Sequence, residues 1–237
     1  MRTRQVVVSI VMASGVWLGV QSAVAEVATG SFQGDALFHG RLPEVARLST
    51  GEKDAVCGAG KLDKSLNVKD GKLAGVVVFL QGDLPASDSS RAVEILIDAC
   101  DYSPRVQLAR VGSRLTVRNN DPMPHNVVGY LPPGKSFFNF YQPIQGSKNV
   151  KLLNTQGLLE IRGGNDEPWA AAYVYVLPHD FARVTADDGH FQLNDIPAGH
   201  YQVTAWHERL GTLTQTIDVT AGKTTSSNFS FEPRAGM

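Results

Sequence analysis

Cysteine is scarce. Cys57 and Cys100 are the only two in 237 residues, which excludes a multi-disulfide scaffold or a cysteine-rich zinc or iron–sulfur centre. An excess of charge of one sign is missing too, since 22 Lys plus Arg stand against 23 Asp plus Glu. So balanced a surface has no electrostatic footprint for nucleic acid or an anionic membrane. Beyond residue 25 no apolar run is long enough to cross a bilayer. A capped helical period is lacking as well, although residues 43 to 53 have room for one turn. Enzyme signatures are absent: there is no G-x-S-x-G elbow, no phosphate-cradling glycine loop and no H-E-x-x-H, and Gly163-Gly164 is a lone pair in a loop. Asp166 and Glu167 are adjacent, so their carboxylates diverge and read as a solvated loop tip, not an acid–base pair. A non-enzyme is expected, with no catalytic residue and no cofactor.

What is present begins with Arg2 and Arg4, an apolar run and the small-x-small ending Ala23-Val24-Ala25. This is the pattern of a secretory signal peptide over residues 1 to 25, which predicts a periplasmic or secreted protein with no membrane insertion once the leader is removed. The remaining chain carries 20 basic against 23 acidic residues, a net charge of −3, and its length suits one large or two small domains. Export puts Cys57 and Cys100 in an oxidising compartment, where a disulfide persists. Two buried free thiols are the competing reading. A metal pair is the weakest, because neither cysteine has a His or Cys close by at ligand spacing.

Almost every segment reads as strand. Residues 73–82, 92–100, 114–119, 171–178, 201–207 and 212–219 are rich in β-branched and aromatic side chains, with Gly, Pro, Asn and Asp between them. The period of two predicts Leu115 and Val117 inward, with Arg114, Thr116 and Arg118 toward water. Tyr201, Val203, Ala205 and His207 share a face opposite Trp206, so His207 reads as a core-edge histidine. Past Pro178 the text changes to short strands with tight turns, in which Gly189 and Gly199 fit positions of positive φ. A boundary is expected there, with domains over 26–178 and 179–234.

The run DDGHFQLNDIPAGHYQVTAWHERLG resembles the carboxypeptidase regulatory-like, or transthyretin-like, domain through Gly189, Phe191, Leu193, Ile196, Pro197, Gly199, Tyr201 and Val203. Such modules serve as scaffolds, as carbohydrate-binding-like domains or as docking pieces, so the resemblance implies a fold and not a function. Upstream, VCGAGKL, LAGVVVFLQG, NNDPMPHNV and PWAAAYVYV resemble an exported family of plastocyanin-like, or methylamine utilisation protein-like, cupredoxins. Together the resemblances imply an all-β chain: a Greek-key cupredoxin-like β-sandwich with an N-terminal strand extension, then a small transthyretin-like sandwich.

Copper-type members of that family carry Cys-x-x-His-x-Trp-Met before the last long strand. With Trp169 fixing the register, this chain has Gly164, Glu167 and Ala170 at those ligand positions, and Arg105 replaces the histidine of Tyr-x-Pro-His-Val. Of the copper ligands implied by the resemblance, only His125 remains, and a blue-copper centre depends on its thiolate. Cys100 joins as a ligand only if the fold places it beside His125. His125 reads first as a partly exposed loop histidine with local hydrogen bonds. Paired with Glu167 it makes at most a weak, vestigial metal site. Asn126, Gly164, Asn165, Asp166 and Trp169 are the candidate binding surface. The expected role is non-catalytic binding or accessory work with an unknown envelope protein or glycan; copper-binding electron transfer and a carbohydrate-binding module are the alternatives.

Overall fold

A computed structural model describes residues 27–87, 92–164 and 167–234. The expected leader lies outside these residues, as do Asn165 and Asp166. The chain opens with β1 (Thr29–Phe38), the short strands β2 (Arg47–Leu48), β3 (Lys61–Leu62), β4 (Val68–Lys69) and β5 (Lys72–Leu73), and then β6 (Val77–Gln81). Nine strands follow: β7 (Val93–Asp98), β8 (Asp101–Ser103), β9 (Val106–Arg110), β10 (Ser113–Asn119), β11 (His125–Leu131), β12 (Lys135–Gln142), β13 (Lys148–Leu153), β14 (Gly157–Arg162) and β15 (Ala171–Leu177). The chain ends with β16 (Ala182–Val184), β17 (His190–Pro197), β18 (Gly199–His207), β19 (Gly211–Val219), β20 (Thr224–Ser226) and β21 (Phe229–Phe231).

These strands make two sandwiches, as an all-β reading requires. In one, the order β13-β10-β7-β8 faces β12-β11-β14-β15-β9. Ile95, Leu115, Val117, Leu159, Ile161 and Val174 fill the space between. The parallel pairs β7–β10 and β9–β15 require connections that cross from sheet to sheet. In the other sandwich β17-β1-β5-β4, with β20 and β21 also paired to β1, faces β16-β6-β18-β19. Its core includes Phe32, Leu73, Phe191, Ile196, Val203 and Phe229. The period-two assignments hold: Leu115, Val117 and His207 are buried, and Arg114 and Arg118 are exposed.

The expected division at residue 178 does not separate these cores. β1, β5 and β6, assigned from sequence to the first domain, complete the sandwich of residues 179–234, and β7–β15 form an insertion between β6 and β16. Strand pairing is long-range, and nothing in an isolated strand names its partner. β6 shows why: Val78 and Leu80 point into the outer core, whereas Val77 and Phe79 point into a third cluster with Leu177 and Ala182. Its unbroken apolar run thus reflects burial on both faces. That third cluster joins the sandwiches, with Val106, Tyr175 and Trp206 packed on it. Arg105 reinforces the joint, donating from Nε and Nη2 to the two Glu208 oxygens at 2.5 and 2.7 Å, the planar fork that suits a carboxylate.

One local expectation is corrected. Gly189 has φ +67°, as its turn demands, but in the next hairpin it is Asp195, at φ +56°, that takes the left-handed conformation. Gly199 leaves room instead: a Cβ there would lie a tight 3.3 Å from the hydroxyl of Tyr201, which donates to the Pro197 carbonyl. The helical turn begins at Gly51–Lys53, inside the stretch expected to have room for one, and runs on through Asp54–Cys57. None of the described helices is long and apolar enough to cross a membrane.

Cys57, at the end of that turn, is bonded to Cys100 across a sequence separation of 43, so the disulfide reading prevails over free thiols. Unfolded, non-reduced protein should show no titratable thiol, and the double variant Cys57→Ala/Cys100→Ala should lose about 2–5 kcal/mol in denaturant melts; two reactive thiols per chain would contradict the bond. A fragment of residues 179–234 alone should be unfolded by circular dichroism, because it lacks β1 and β6 and leaves Phe191 and Val203 uncovered. A cooperative melt of that fragment would overturn the topology.

Candidate functional site

The site lies at one end of the inserted sandwich, where the β7–β8 turn, the loop before β11 and the loop before β15 converge. The loop before β11 is built by its own side chains. Asn119 Nδ2 donates to the carbonyls of Met123 and Ile144, and its Oδ1 accepts from the Asp121 N–H at 2.8 Å, the local bonding that makes Asn a turn former. Pro122 and Pro124 restrict the chain between. Asp121 is thereby turned inward, where its Oδ2 accepts the Cys100 N–H at 2.8 Å.

The loop before β15 closes on itself. Gly163 donates to the Ala170 carbonyl, Glu167 to that of Gly164 and Ala170 to that of Glu167. Gly163 permits this, since a Cβ there would lie 2.7 Å from a Glu167 carboxylate oxygen. Glu167 is consequently buried, not a solvated loop tip, and only 3% exposed.

His125 is the centre of the arrangement. It opens β11 and, contrary to the expectation of a partly exposed loop residue, is 1% exposed. Strand alternation turns it inward and leaves Asn126 in solvent. Its Nε2 lies 2.8 Å from Asp121 Oδ2 and its Nδ1 lies 3.2 Å from Glu167 Oε1. Lys53 Nζ donates to that same Glu167 oxygen at 2.8 Å. The result is a buried string of alternating charge, Lys53–Glu167–His125–Asp121. Burial is the largest influence on His125 and works against its charge, but the bonds and charges of Glu167, then Asp121, outweigh it and hold the pKa above the ordinary histidine value. Burial likewise pushes Glu167 up, and His125 and Lys53 together pull it below the usual carboxylate range. The imidazolium and the carboxylate are the forms that this geometry favours.

The structure therefore brings His125 and Glu167 together as expected. It separates Trp169 from the candidate surface: the indole is buried and donates to the Cys100 carbonyl at 3.2 Å. Asn126 is exposed and Gly164 half-buried. Arg105 is not in the site. Sequence reasoning missed Asp121, Lys53 and Met123. Asp121 had a signal in its spacing of four from His125 within a proline-bounded turn; Lys53 had none, being 114 residues from its partner. Cys100 Sγ stands with the ligand atoms of Asp121 and His125 inside 4.8 Å, all three residues buried, and 4.0 Å from Met123 Sδ. The fold thus places Cys100 beside His125, though in a disulfide.

The string has a defined pH window. A raised His125 pKa contributes stability that is complete below the unfolded value of 6.5 and lost as pH rises through the folded one. A lowered Glu167 pKa contributes stability present above the unfolded value of 4.5 and lost as pH falls through the folded one. Between those two values Glu167→Gln should cost about 3 kcal/mol, since it removes one partner of a buried pair. In nuclear magnetic resonance titrations it should also lower the His125 midpoint; an unchanged midpoint would sink the assignment.

Comparison with known proteins gives the following. Residues 160–232 match the carboxypeptidase regulatory-like domain, a span that begins in β14 and so overlaps the inserted sandwich. No curated protein matches the chain. Among solved structures, a purple cupredoxin from Nitrosopumilus maritimus is 25% identical, covering 36% of this chain and 99% of its own at a TM-score of 0.31. Amicyanin from Paracoccus versutus is 18% identical, over 42% of this chain and 97% of its own, at 0.32. A copper-containing nitrite reductase from Thermus scotoductus is 15% identical over 40% of this chain at 0.31, and the match spans only 25% of that protein. Residues 160–232 are thus similar to the kind of domain that their motif resembles.

Proposed function

We propose that this is an exported, non-catalytic binding or accessory protein of the periplasm or cell exterior, built on a cupredoxin-like sandwich that has lost its type 1 copper ligands. The observation that carries the reading is the occupation of both His125 ring nitrogens, one by Asp121 and one by Glu167. An imidazolium held between two carboxylates has no lone pair for a metal. The remaining donors fit copper(II) no better, because both cysteines are in the disulfide and such a centre needs a thiolate. In this reading Glu167 and Lys53 occupy the end of the sandwich where a ligand loop would close on a metal ion. The frame is retained for contact, through Asn126, Gly164, Asn165 and Asp166, with an envelope protein or a glycan.

Copper binding is the second reading, favoured by the closeness of Cys100, Asp121 and His125. One experiment separates the two. Wild-type protein mixed with Cu(II) should show no intense thiolate-to-copper absorption and no reversible redox wave. The variant Gly164→Cys/Glu167→His/Ala170→Met should gain the band, because His125 and the buried Trp169 that sets the register remain in place. A strong band in the wild type would refute the proposal.

A further inference from the structure

The Cys57–Cys100 bond joins two elements that have little else in common: the short helix Asp54–Cys57 and the β7–β8 turn. The turn is an uncommon place for cysteine. Asp98 pairs with Asp101, so Ala99 and Cys100 form a two-residue hairpin loop, and both have positive φ, +46° and +63°. Such loops favour Asn-Gly, since a side chain with Cβ is strained there. Three contacts hold Cys100 in place nonetheless: its N–H on Asp121, its carbonyl on Trp169, and Cys57. The first two do not involve sulfur and would survive loss of the bond.

Around the Cys100 sulfur stand donors of three kinds. One imidazole nitrogen of His125 and one carboxylate oxygen of Asp121 lie with it inside 4.8 Å. The thioether of Met123 is 4.0 Å away. None of these residues comes from the 164–170 loop, from which a blue-copper domain draws its thiolate. Imidazole, thiolate, thioether and carboxylate gathered at one buried place make a set suited to a soft or borderline divalent ion. Its bond to Cys57 keeps the sulfur from ligating.

We infer that the Cys57–Cys100 disulfide is a redox lock on a metal site made by Cys100, His125 and Asp121, with Met123 as a weaker fourth donor. A dithiol of the thioredoxin class supplies the two electrons and two protons: it becomes a disulfide, and Cys57 and Cys100 become thiols. A divalent ion then replaces the thiol proton of Cys100 and one proton of the His125 imidazolium, releasing both to solvent. Asp121 loses its proton-mediated bond to His125 and faces the ion instead. The inference goes beyond the proposed function, which concerns the oxidised protein.

The test uses Co(II), which reports thiolate ligation by a ligand-to-metal charge-transfer band and tetrahedral geometry by its visible bands. Full-length Cys57→Ser protein, whose fold is checked by circular dichroism, should take up one equivalent of Co(II) without any reductant and show the thiolate band. Disulfide-bonded wild type should show none. Wild type reduced with a small dithiol, then freed of it under argon, should behave as Cys57→Ser does. Cys57→Ser/His125→Ala should bind at least about tenfold more weakly, and Cys100→Ser, which keeps Cys57 as the free thiol, should lose the band. The inference is overturned if Cys57→Ser gives no thiolate band or if the band is undiminished without His125. Loss of the fold in both Cys57→Ser and the reduced wild type also overturns it, since the site requires a frame that stands without the bond. None of these results bears on the Cu(II) experiment with oxidised wild type, so the two readings fail separately.

Discussion

Strand β1 is the piece on which the rest of the structure depends. It is hydrogen-bonded to β17 and β5 along one edge and to β20 and β21 along the other, and it contributes Phe32, Ala36 and Phe38 to the outer core. Its alternation supplies one buried side chain in every two, the condition for a sheet with one face on a core. Without it the strands of residues 179–234 would be a half-sandwich with an exposed apolar face. With it, the entry and exit of the inserted sandwich, at β6 and β16, are held side by side in one sheet. The site at the far end of the insertion thus rests on a frame closed by residues remote in the chain.

Much of this was legible in the sequence, for identifiable reasons. Leu115 and Val117 could be assigned inward because a strand's faces follow from a period of two. His207 could be read as core-edge on the same ground, and its burial, with Arg105 and Arg209 nearby, pushes its pKa down to about 4. The partnership of His125 with Glu167 was legible only through resemblance, because Trp169 set the register of a loop that has no period. The ends of the string were not legible. Lys53 comes from the helical turn and Asp121 from the loop before β11, and such segments converge only through the strands that carry them. The membership of β1 and β6 in the second sandwich was hidden for the same reason: an apolar strand states that it will be buried, not against what.

The charge string shows how paired side chains can tie the loops of a sandwich together. A metal centre ties loops together by ligation to one cation. Here Lys53 and His125 supply the positive charge, Glu167 and Asp121 the negative, and each buried group has a partner on either side or a way to solvent. Tyr102 illustrates the cost of missing such a partner: its hydroxyl is buried with no hydrogen bond among the described residues, and burial, with the Glu167 charge beside it, pushes its pKa up. A buried ionic string is weaker evidence for stability than for specificity. Its effect is directional, fixing which loop meets which.

The position of β1 has a consequence for the order of assembly. A chain made from its N-terminus produces β1 first and its partners β17, β20 and β21 last, with hydrogen-bonded pairs such as Ser31 and Thr224 193 residues apart. The inserted sandwich is complete before any of those partners exists. Contacts of such separation form slowly, so β1 and the two-faced β6 spend an interval with apolar edges uncovered while the insertion is already folded. The most vulnerable moment in this protein's life falls between the completion of β15 and the arrival of β21, when an unpaired strand is open to pairing with the wrong chain.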